Sequence, residues 1–196
     1  MSAPTTPQAV LDFWFGRGDA VDPRWFKGGP AFDALIRAEH AATVEAALAG
    51  ELDAWTTDAA GTLALVVVLD QFTRHLFRGT PRAFAGDAQA LAQARALVAR
   101  GDDRRLGLLQ RWFACMPFEH AEDRAQQAES LRLFTALRDD ARGTALEAAL
   151  AGALDYAQRH AEVVATYGRF PHRNPILGRH SSAAELAYLA QPGAGF

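Results

Sequence analysis

The sequence has few of the residues that build disulfides, β-sheets or membrane spans. Its one cysteine, Cys115, has no second cysteine to pair with, which excludes a disulfide-built secreted scaffold. Two isoleucines and nine valines give little support to strands, which favour β-branched residues. The longest apolar run, residues 63–69, ends at Asp70 and falls far short of the ~20 residues of a membrane span. The N-terminal residues lack the basic start and apolar stretch of a signal peptide, so we expect a cytoplasmic protein.

Helix-forming residues are abundant instead. The chain has 42 alanines and 19 arginines beside one lysine, and Ala, Leu, Arg, Glu and Gln lose least free energy on entering a helix. The apolar fraction of 49% and the charged fraction of 22% are those of an ordinary globular protein. The net charge of −3 gives no general attraction to nucleic acid or to an anionic membrane, and we expect neither as a partner. The composition predicts an all-α protein.

Prolines and glycines divide the chain into about seven helices, which we expect to pack as antiparallel hairpins in a single domain of residues 1–196. Pro7 follows Thr6 in the order that favours a helix N-terminus, and Ser182 and Glu185 have the spacing of a capping box. Pro117 predicts a break between two helices. The predicted helices cover roughly residues 7–15, 30–48, 62–77, 87–100, 104–115, 117–138 and 144–167, followed by a last short helix over 182–190.

The first of three segments rich in polar residues is LDQFTRHLFRGTPR, residues 69–82. Asp70 and Arg74 are four residues apart and share one face of a helix whose earlier residues are almost all apolar. Because an unpaired buried charge is costly, an internal ion pair between them is one interpretation. The alternative is that Arg74, Arg78 and Arg82 bind an anionic ligand, since the planar guanidinium group matches carboxylate and phosphate.

The second segment is MPFEHAED, residues 116–123. Glu119, Glu122 and Asp123 follow Pro117, where negative charges suit the positive end of a helix dipole. The dipole does not explain His120, which stands between aromatic and acidic residues. A histidine beside carboxylates is a candidate general acid or base, although a single such histidine is more often structural.

The third segment is YGRFPHRNPILGRH, residues 167–180, whose prolines and glycine predict a loop. Loops on rigid scaffolds concentrate binding groups. Apolar Phe170 and Ile176 are interleaved with the polar residues, which a purely solvated loop does not need. Upstream, His160 lies on the predicted buried face of its helix and should meet a polar partner there. The polar residues of the loop are Arg169, His172, Arg173, Asn174, Arg179 and His180.

These three segments, with LDFWFG near the N-terminus, resemble the hallmark blocks of the bacterial family called domain of unknown function 924. The blocks occur in the same order over nearly the whole chain. The resemblance implies an all-helical fold similar to a tetratricopeptide-like array, and it implies no established activity. His40, Thr73 and His75 depart from the residue types expected at their positions, so we do not expect His40 or His75 in a shared site. The matching residues are Asp70, Gln71, Phe72, Arg74, Phe77, Arg78, Gly79, Pro117, Phe118, Glu119, His120, Glu122, Gly168, Arg169, Phe170, Pro171, His172, Arg173, Asn174, Gly178 and Arg179.

Common catalytic templates do not occur in the sequence. It has no Walker loop, dinucleotide fingerprint or GxSxG elbow, and one cysteine cannot form a zinc finger. No pair of ligands like that of HExxH lies on one helix face, so we expect neither a metal nor a cofactor. The apolar neighbours of Cys115 indicate an inert, packed thiol. Asp102 and Asp103 interrupt the basic cluster around Arg104, which argues against a nucleic-acid site.

The leading hypothesis is that the three segments converge on a cleft that binds a small anionic or polar ligand. The main alternative is an enzyme at the same cleft, a hydrolase or group-transfer enzyme acting on an acidic substrate, with catalytic candidates His120, His172, Glu119 and Glu122. A buried polar network without a ligand and a peptide-binding scaffold remain as further alternatives. The predicted ligand-binding residues are Asp70, Arg74, Arg78, Glu119, His120, Glu122, His160, Arg169, His172, Arg173, Asn174 and Arg179.

Overall fold

The computed structural model describes residues 3–16, 18 and 20–195. Residues 1, 2, 17, 19 and 196 belong to the predicted domain but lie outside the described residues. Helices dominate the described part, which contains no strand, and the predicted all-α class is confirmed. The described residues form nine helices, close to the seven expected: α1 (Pro7–Phe15), α2 (Arg24–Lys27), α3 (Pro30–Leu48), α4 (Ala59–Val66, Val67–Phe72 and Thr73–Leu76 in succession), α5 (Asp87–Ala99), α6 (Leu108–Glu119), α7 (Arg124–Asp140), α8 (Glu147–Tyr167) and α9 (Ala183–Leu189).

Local sequence signals set several helix ends. The Thr6 side chain accepts a hydrogen bond from the backbone N–H of Ala9, with Pro7 as the first helical residue of α1. The capping box predicted at α9 is confirmed, because Ser182 Oγ accepts from Glu185 N at 3.2 Å while Ser182 N donates to Glu185 Oε2 at 2.7 Å. Short-range hydrogen bonds of this kind are readable from sequence.

Helix α4 is the central helix, and its side chains are buried at every position from 61 to 73. Its middle section, Val67–Phe72, forms a wider π-helical turn that the sequence analysis did not predict. Two side chains hydrogen-bond to carbonyls of this turn: Thr73 Oγ1 donates to Leu69 O at 2.7 Å, and Arg74 Nη1 donates to Asp70 O at 2.6 Å. Such turns are frequent at functional sites, and this one contains Asp70.

The break predicted at Pro117 is wrong, because α6 continues through Pro117 to Glu119. A proline removes one backbone hydrogen bond of the helix. Pro117 stands close to the end of the helix, where few further hydrogen bonds depend on it. The chain breaks instead before Asp123, whose side chain accepts from Gln126 N at 2.9 Å and begins α7. Glu119 therefore lies at the negative end of a helix dipole, so the dipole interpretation fails for it. The start predicted for this helix at position 104 is also wrong, because Asp102–Arg105 forms a separate 3₁₀ turn.

One large apolar cluster extends from α1 to α8. Helix α7 packs against both α6 and α8, and the short connections between them make successive helices antiparallel neighbours. A smaller cluster of Val163, Val164 and Phe170 holds the loop that follows α8. None of the helices in the described ranges combines the length and apolar character needed to cross a membrane. The tetratricopeptide-like repeat implied by the resemblance stays a prediction.

Candidate active site

A cavity of about 560 Å³ lies between α2, α4, α6 and α8, a volume within the range of small-molecule sites. Small residues of α8 at helical spacing leave room on one side of it. The wall consists of Trp25 and Phe26 from α2; Gln71, Arg74, His75 and Arg78 from α4 and the turn after it; Trp112, Met116, Glu119 and His120 from α6 and its end; and Ala149, Gly152, Ala153, Asp155, Tyr156 and His160 from α8.

A buried carboxylate holds His120 on this wall. The Nδ1 atom of His120 lies 2.7 Å from Oδ1 of Asp70, a residue that is 1% exposed. The other oxygen of Asp70 accepts from Gln71 Nε2 at 2.5 Å. Because a carboxylate accepts, Nδ1 carries the proton of the neutral imidazole and Nε2 keeps the lone pair. No group among the described residues hydrogen-bonds to Nε2 of His120.

The charge of Asp70 is stabilised by its neighbours. Burial by itself would raise the pKa of the Asp70 carboxyl, but Arg74 and His120 lower that pKa well below its ordinary value. Arg74 Nη1 lies 3.2 Å from Asp70 Oδ1, so the ion pair expected from their spacing is present. An ionised carboxylate at this distance favours the Nδ1–H tautomer of His120.

The guanidinium groups of the wall already face carboxylates. Arg74 donates to both oxygens of Asp87, at 2.8 and 3.1 Å, and Asp87 also accepts from Arg173 Nη1 at 3.3 Å. Arg78 donates to both oxygens of Asp33, at 2.9 and 3.0 Å. Neither arginine of the wall therefore offers an uncompensated positive charge to a ligand.

Glu119 and His160 form a second polar pair on the wall. Nδ1 of His160 lies 3.0 Å from Glu119 Oε1 and hydrogen-bonds to the carbonyl oxygen of Tyr156 at 2.9 Å. Both neighbours are acceptors, so this nitrogen carries a proton. Glu119 is 4% exposed, and within the described part of the chain no donor reaches its Oε2. The rings of His120 and His160 lie 6.3 Å apart between centroids, so the two pairs are neighbours.

Most predicted residues of the third segment bind other protein groups. Arg179 donates to both oxygens of Glu122, at 2.5 and 2.8 Å, and Glu122 also accepts from Phe170 N at 2.8 Å. Burial would raise the pKa of Glu122, but the hydrogen bond from Arg179 lowers it overall. Arg169 donates to both oxygens of Glu185, at 2.6 and 2.8 Å. These pairs fasten the loop to the connection between α6 and α7 and to α9.

The remaining predicted residues of this loop are also absent from the cavity wall. The guanidinium group of Arg173 lies between the rings of Phe84 and Phe170, 4.7 and 4.6 Å from their centroids, and burial lowers its pKa to about 10. Asn174 donates to Ser181 Oγ at 3.0 Å. Burial, with the charge of Arg173, lowers the pKa of His172 to about 4, so this imidazole is neutral at physiological pH.

The three segments do contact one another, but they contribute unequally to the cavity. The contact between Asp70 and His120 joins the first segment to the second, and the contact between Glu122 and Arg179 joins the second to the third. Of the predicted ligand-binding residues, the cavity wall contains Arg74, Arg78, Glu119, His120 and His160. Asp70 lies directly behind His120, and the others are outside the wall: Glu122, Arg169, His172, Arg173, Asn174 and Arg179.

Sequence reasoning missed His75 and the aromatic part of the wall. His75, set aside because it departs from the family pattern, lines the cavity with Nδ1 2.7 Å from Asp33 Oδ1. A signal for the aromatic part was available, because Trp112, Met116 and Glu119 lie four and three residues apart and therefore share a helix face. That spacing defines a face of α6 but does not say whether the face meets a cavity or the core.

The described side chains form neither a metal site nor a reactive thiol. Across residues 3–16, 18 and 20–195, no group of three or more His, Cys, Asp or Glu side chains could hold a metal ion. Cys115 is buried, and burial raises the pKa of its thiol to about 12. The thiol therefore stays protonated at neutral pH, as expected for a packed cysteine.

The fold and the site together define an all-helical protein with a polar and aromatic cavity in which a buried carboxylate holds a histidine. The chain belongs to the family described as "Bacterial protein of unknown function (DUF924)", whose model matches residues 10–193 and confirms the resemblance. It is similar to a solved structure, "Structure of Protein of Unknown Function ATU0120 from Agrobacterium tumefaciens", with 35% identity over 94% of this chain and 96% of that chain and a TM-score of 0.82. No curated protein matches the sequence.

Proposed function

We propose that the cavity is the active site of an enzyme that acts on a small molecule by hydrolysis or group transfer, with His120 as general acid–base. One observation carries this proposal. His120 stands on the cavity wall with Nδ1 2.7 Å from the buried carboxylate of Asp70, so Nε2 is the nitrogen left for a substrate. A pair of this kind is the arrangement in which an imidazole accepts a proton and returns it.

In a hydrolysis, Nε2 of His120 takes a proton from water while the water oxygen attacks the carbonyl carbon of the substrate. The imidazolium then gives that proton to the leaving group as the bond to it breaks, and the histidine returns to its neutral form. Asp70 stabilises the imidazolium and keeps the ring oriented, and Gln71 holds the second carboxylate oxygen at 2.5 Å.

The size of the cavity supports a small-molecule substrate. A volume of about 560 Å³ suits a metabolite-sized ligand and is small for an extended peptide. A purely structural polar network would pair every arginine and acid internally and leave no cavity, so the presence of the cavity supports a ligand site. Non-catalytic binding of the same ligand would use the same wall but would not need a carboxylate beside His120.

The hydrolysis of 4-nitrophenyl acetate, followed by release of 4-nitrophenolate, tests the role of His120. We expect the His120→Gln variant to be at least about tenfold slower than the unchanged protein, because general base catalysis contributes about a hundredfold or more. His180 is exposed and serves as the matched control, since His180→Gln should keep the full rate.

Nuclear magnetic resonance of the imidazole nitrogens supplies an independent readout. We expect neutral His120 to carry its proton on Nδ1. We expect this tautomer to be less favoured in the Asp70→Asn variant, which lacks the carboxylate. Equal hydrolysis rates for the unchanged protein and His120→Gln, or a proton found on Nε2 of neutral His120, would overturn the proposal.

A further inference from the structure

We infer that the substrate is a flat aromatic molecule whose polar end donates hydrogen bonds and carries no full negative charge. This inference rests on the proposed function, since it concerns the same cavity. Two features of the wall carry it: a stacked pair of aromatic rings, and a polar region that offers acceptors rather than free cations.

The aromatic region is formed by side chains from α2 and α6. The ring of Phe26 stacks on Trp112 with centroids 5.3 Å apart and planes 29° apart. Phe26 is nevertheless 51% exposed, so a large apolar ring on the cavity wall remains in contact with water. Covering such a surface with a flat ring is favourable both through apolar burial and through offset stacking.

Small side chains on the α8 side of the cavity leave space for a ring. Ala149, Gly152 and Ala153 contribute to the wall there, and apart from neighbouring residues and the backbone of its own helix no heavy atom lies within 4 Å of a Cβ built on Gly152. Tyr156, one helical turn further, is 49% exposed. The cavity is thus bordered by aromatic rings on α2 and α6 and by small side chains on α8 from Ala149 to Ala153.

The polar region favours a donor over an anion. Oε2 of Glu119 and Nε2 of His120 are both acceptors, given the proton positions derived above, and Glu119 is almost fully buried. The positive charges of Arg74 and Arg78 are compensated by the carboxylates of Asp87 and Asp33. A carboxylate placed here would meet Glu119 without a free cation, whereas an N–H or O–H group would find an acceptor in Oε2 of Glu119 and leave Nε2 of His120 to the reacting water.

Three probe molecules separate ring shape from charge. Benzamide has an aromatic ring and an uncharged donor, cyclohexanecarboxamide keeps the donor but loses the flat ring, and benzoate keeps the ring but gains a charge. By titration followed with amide resonances, we expect benzamide to bind with a Kd of a few millimolar, roughly what a ligand of this size achieves. We expect each of the other two to bind at least about threefold more weakly, a difference that the lost contacts readily supply.

Two substitutions assign the binding to the cavity. Phe26→Ala should weaken benzamide binding about threefold or more, whereas Leu186→Ala, at an equally exposed apolar residue away from the wall, should leave it unchanged. Glu119→Gln should reduce the difference between the Kd values of benzamide and benzoate, because it removes the charge that repels the carboxylate of benzoate.

The inference is overturned if benzoate or cyclohexanecarboxamide binds as tightly as benzamide, if Phe26→Ala has no effect, or if none of the three binds at about 10 mM, several times the expected Kd. These titrations involve no turnover. The substrate class and the catalytic role of His120 therefore succeed or fail by separate measurements.

Discussion

The carboxylate of Asp70 and the imidazole of His120 meet at 2.7 Å across fifty positions of the chain. Asp70 lies in the wide turn of α4, and His120 directly follows the last residue of α6. The contact therefore ties the central helix to the end of another helix, and it does so at the cavity wall. Substitution can separate the structural role of Asp70 from the proposed chemical role of His120.

Replacing Asp70 with asparagine should destabilise the protein by about 2–4 kcal/mol, because breaking a buried charge pair leaves Arg74 with one fewer carboxylate. Urea unfolding at neutral pH measures this change. Asp53→Asn, at an exposed carboxylate, is the control and should leave the unfolding midpoint unchanged. An Asp70→Asn variant as stable as the unchanged protein would show that the ion pair has no net structural role.

His40 should be replaceable by phenylalanine with a gain of about 1–2 kcal/mol in the free energy of unfolding. The ring is 2% exposed between Phe13 and Phe72, with centroids 4.6 and 4.8 Å away, and neither of its nitrogens has a hydrogen-bond partner among the described residues. Burial lowers the pKa of His40, so the ring is packed in its neutral form. Phenylalanine removes two unsatisfied buried nitrogens and keeps the aromatic packing.

Thermal unfolding of His40→Phe and His40→Ala tests this expectation. The alanine variant should lose about 2–4 kcal/mol, because it leaves a cavity between the two phenylalanine rings. A phenylalanine variant that is as unstable as the alanine variant would mean that the histidine nitrogens contribute a favourable interaction.

Stability should fall as the pH drops from about 6.5 toward 4, before most carboxylates titrate. His172 binds a proton near pH 6.5 when unfolded but only at about 4 when folded, because burial and Arg173 lower its pKa. Between these values the unfolded state binds more protons, so acid favours unfolding. The contribution of His172 is at most about 3 kcal/mol and is lost progressively over this range.

Urea midpoints measured as a function of pH test the contribution of His172. The His172→Gln variant should lose less stability than the unchanged protein on going from neutral pH to about 4, since it has no imidazole to protonate. The pKa values of His40 and His75 are lowered as well, so part of the slope should remain. Parallel curves for the two proteins would contradict the assignment to His172.

Two glycines should respond to alanine in opposite directions. A Cβ on Gly86 would lie 2.2 Å from the carbonyl oxygen of Leu69, in the wide turn of α4, so Gly86→Ala must displace backbone and should cost about 2–3 kcal/mol. Gly152 lies inside α8, and apart from neighbouring residues and the backbone of its own helix no heavy atom lies within 4 Å of its Cβ position. Gly152→Ala should therefore stabilise the helix by about 0.5–1 kcal/mol.

Thermal unfolding of the two alanine variants is the measurement. Both variants carry the same change in composition, so any effect of alanine on the unfolded chain is shared and the difference reports the native environment. Equal shifts of Tm for the two variants would contradict the close approach of Gly86 to Leu69.

What the sequence determined by itself was the helical class and the local features of the helices. Scarce β-branched residues and abundant alanine predict helices, and the hydrogen bonds of Thr6 and Ser182 with nearby backbone N–H groups mark helix starts. The buried surroundings of Asp70 were also evident from the apolar run before it. These properties depend on groups within a few positions of one another, so their physical basis is contained in short stretches of chain.

The tertiary structure alone decided which polar residues face the cavity. Arg74 and Arg78 have carboxylate partners, Asp87 and Asp33, that come from other helices, and these partners weaken the case for an anion within the expected class of small anionic or polar ligands. The stacking of Phe26 on Trp112 likewise joins residues far apart in sequence. Charge compensation and cavity shape depend on distances between helices, and such distances follow from the packing of the whole core rather than from any local pattern.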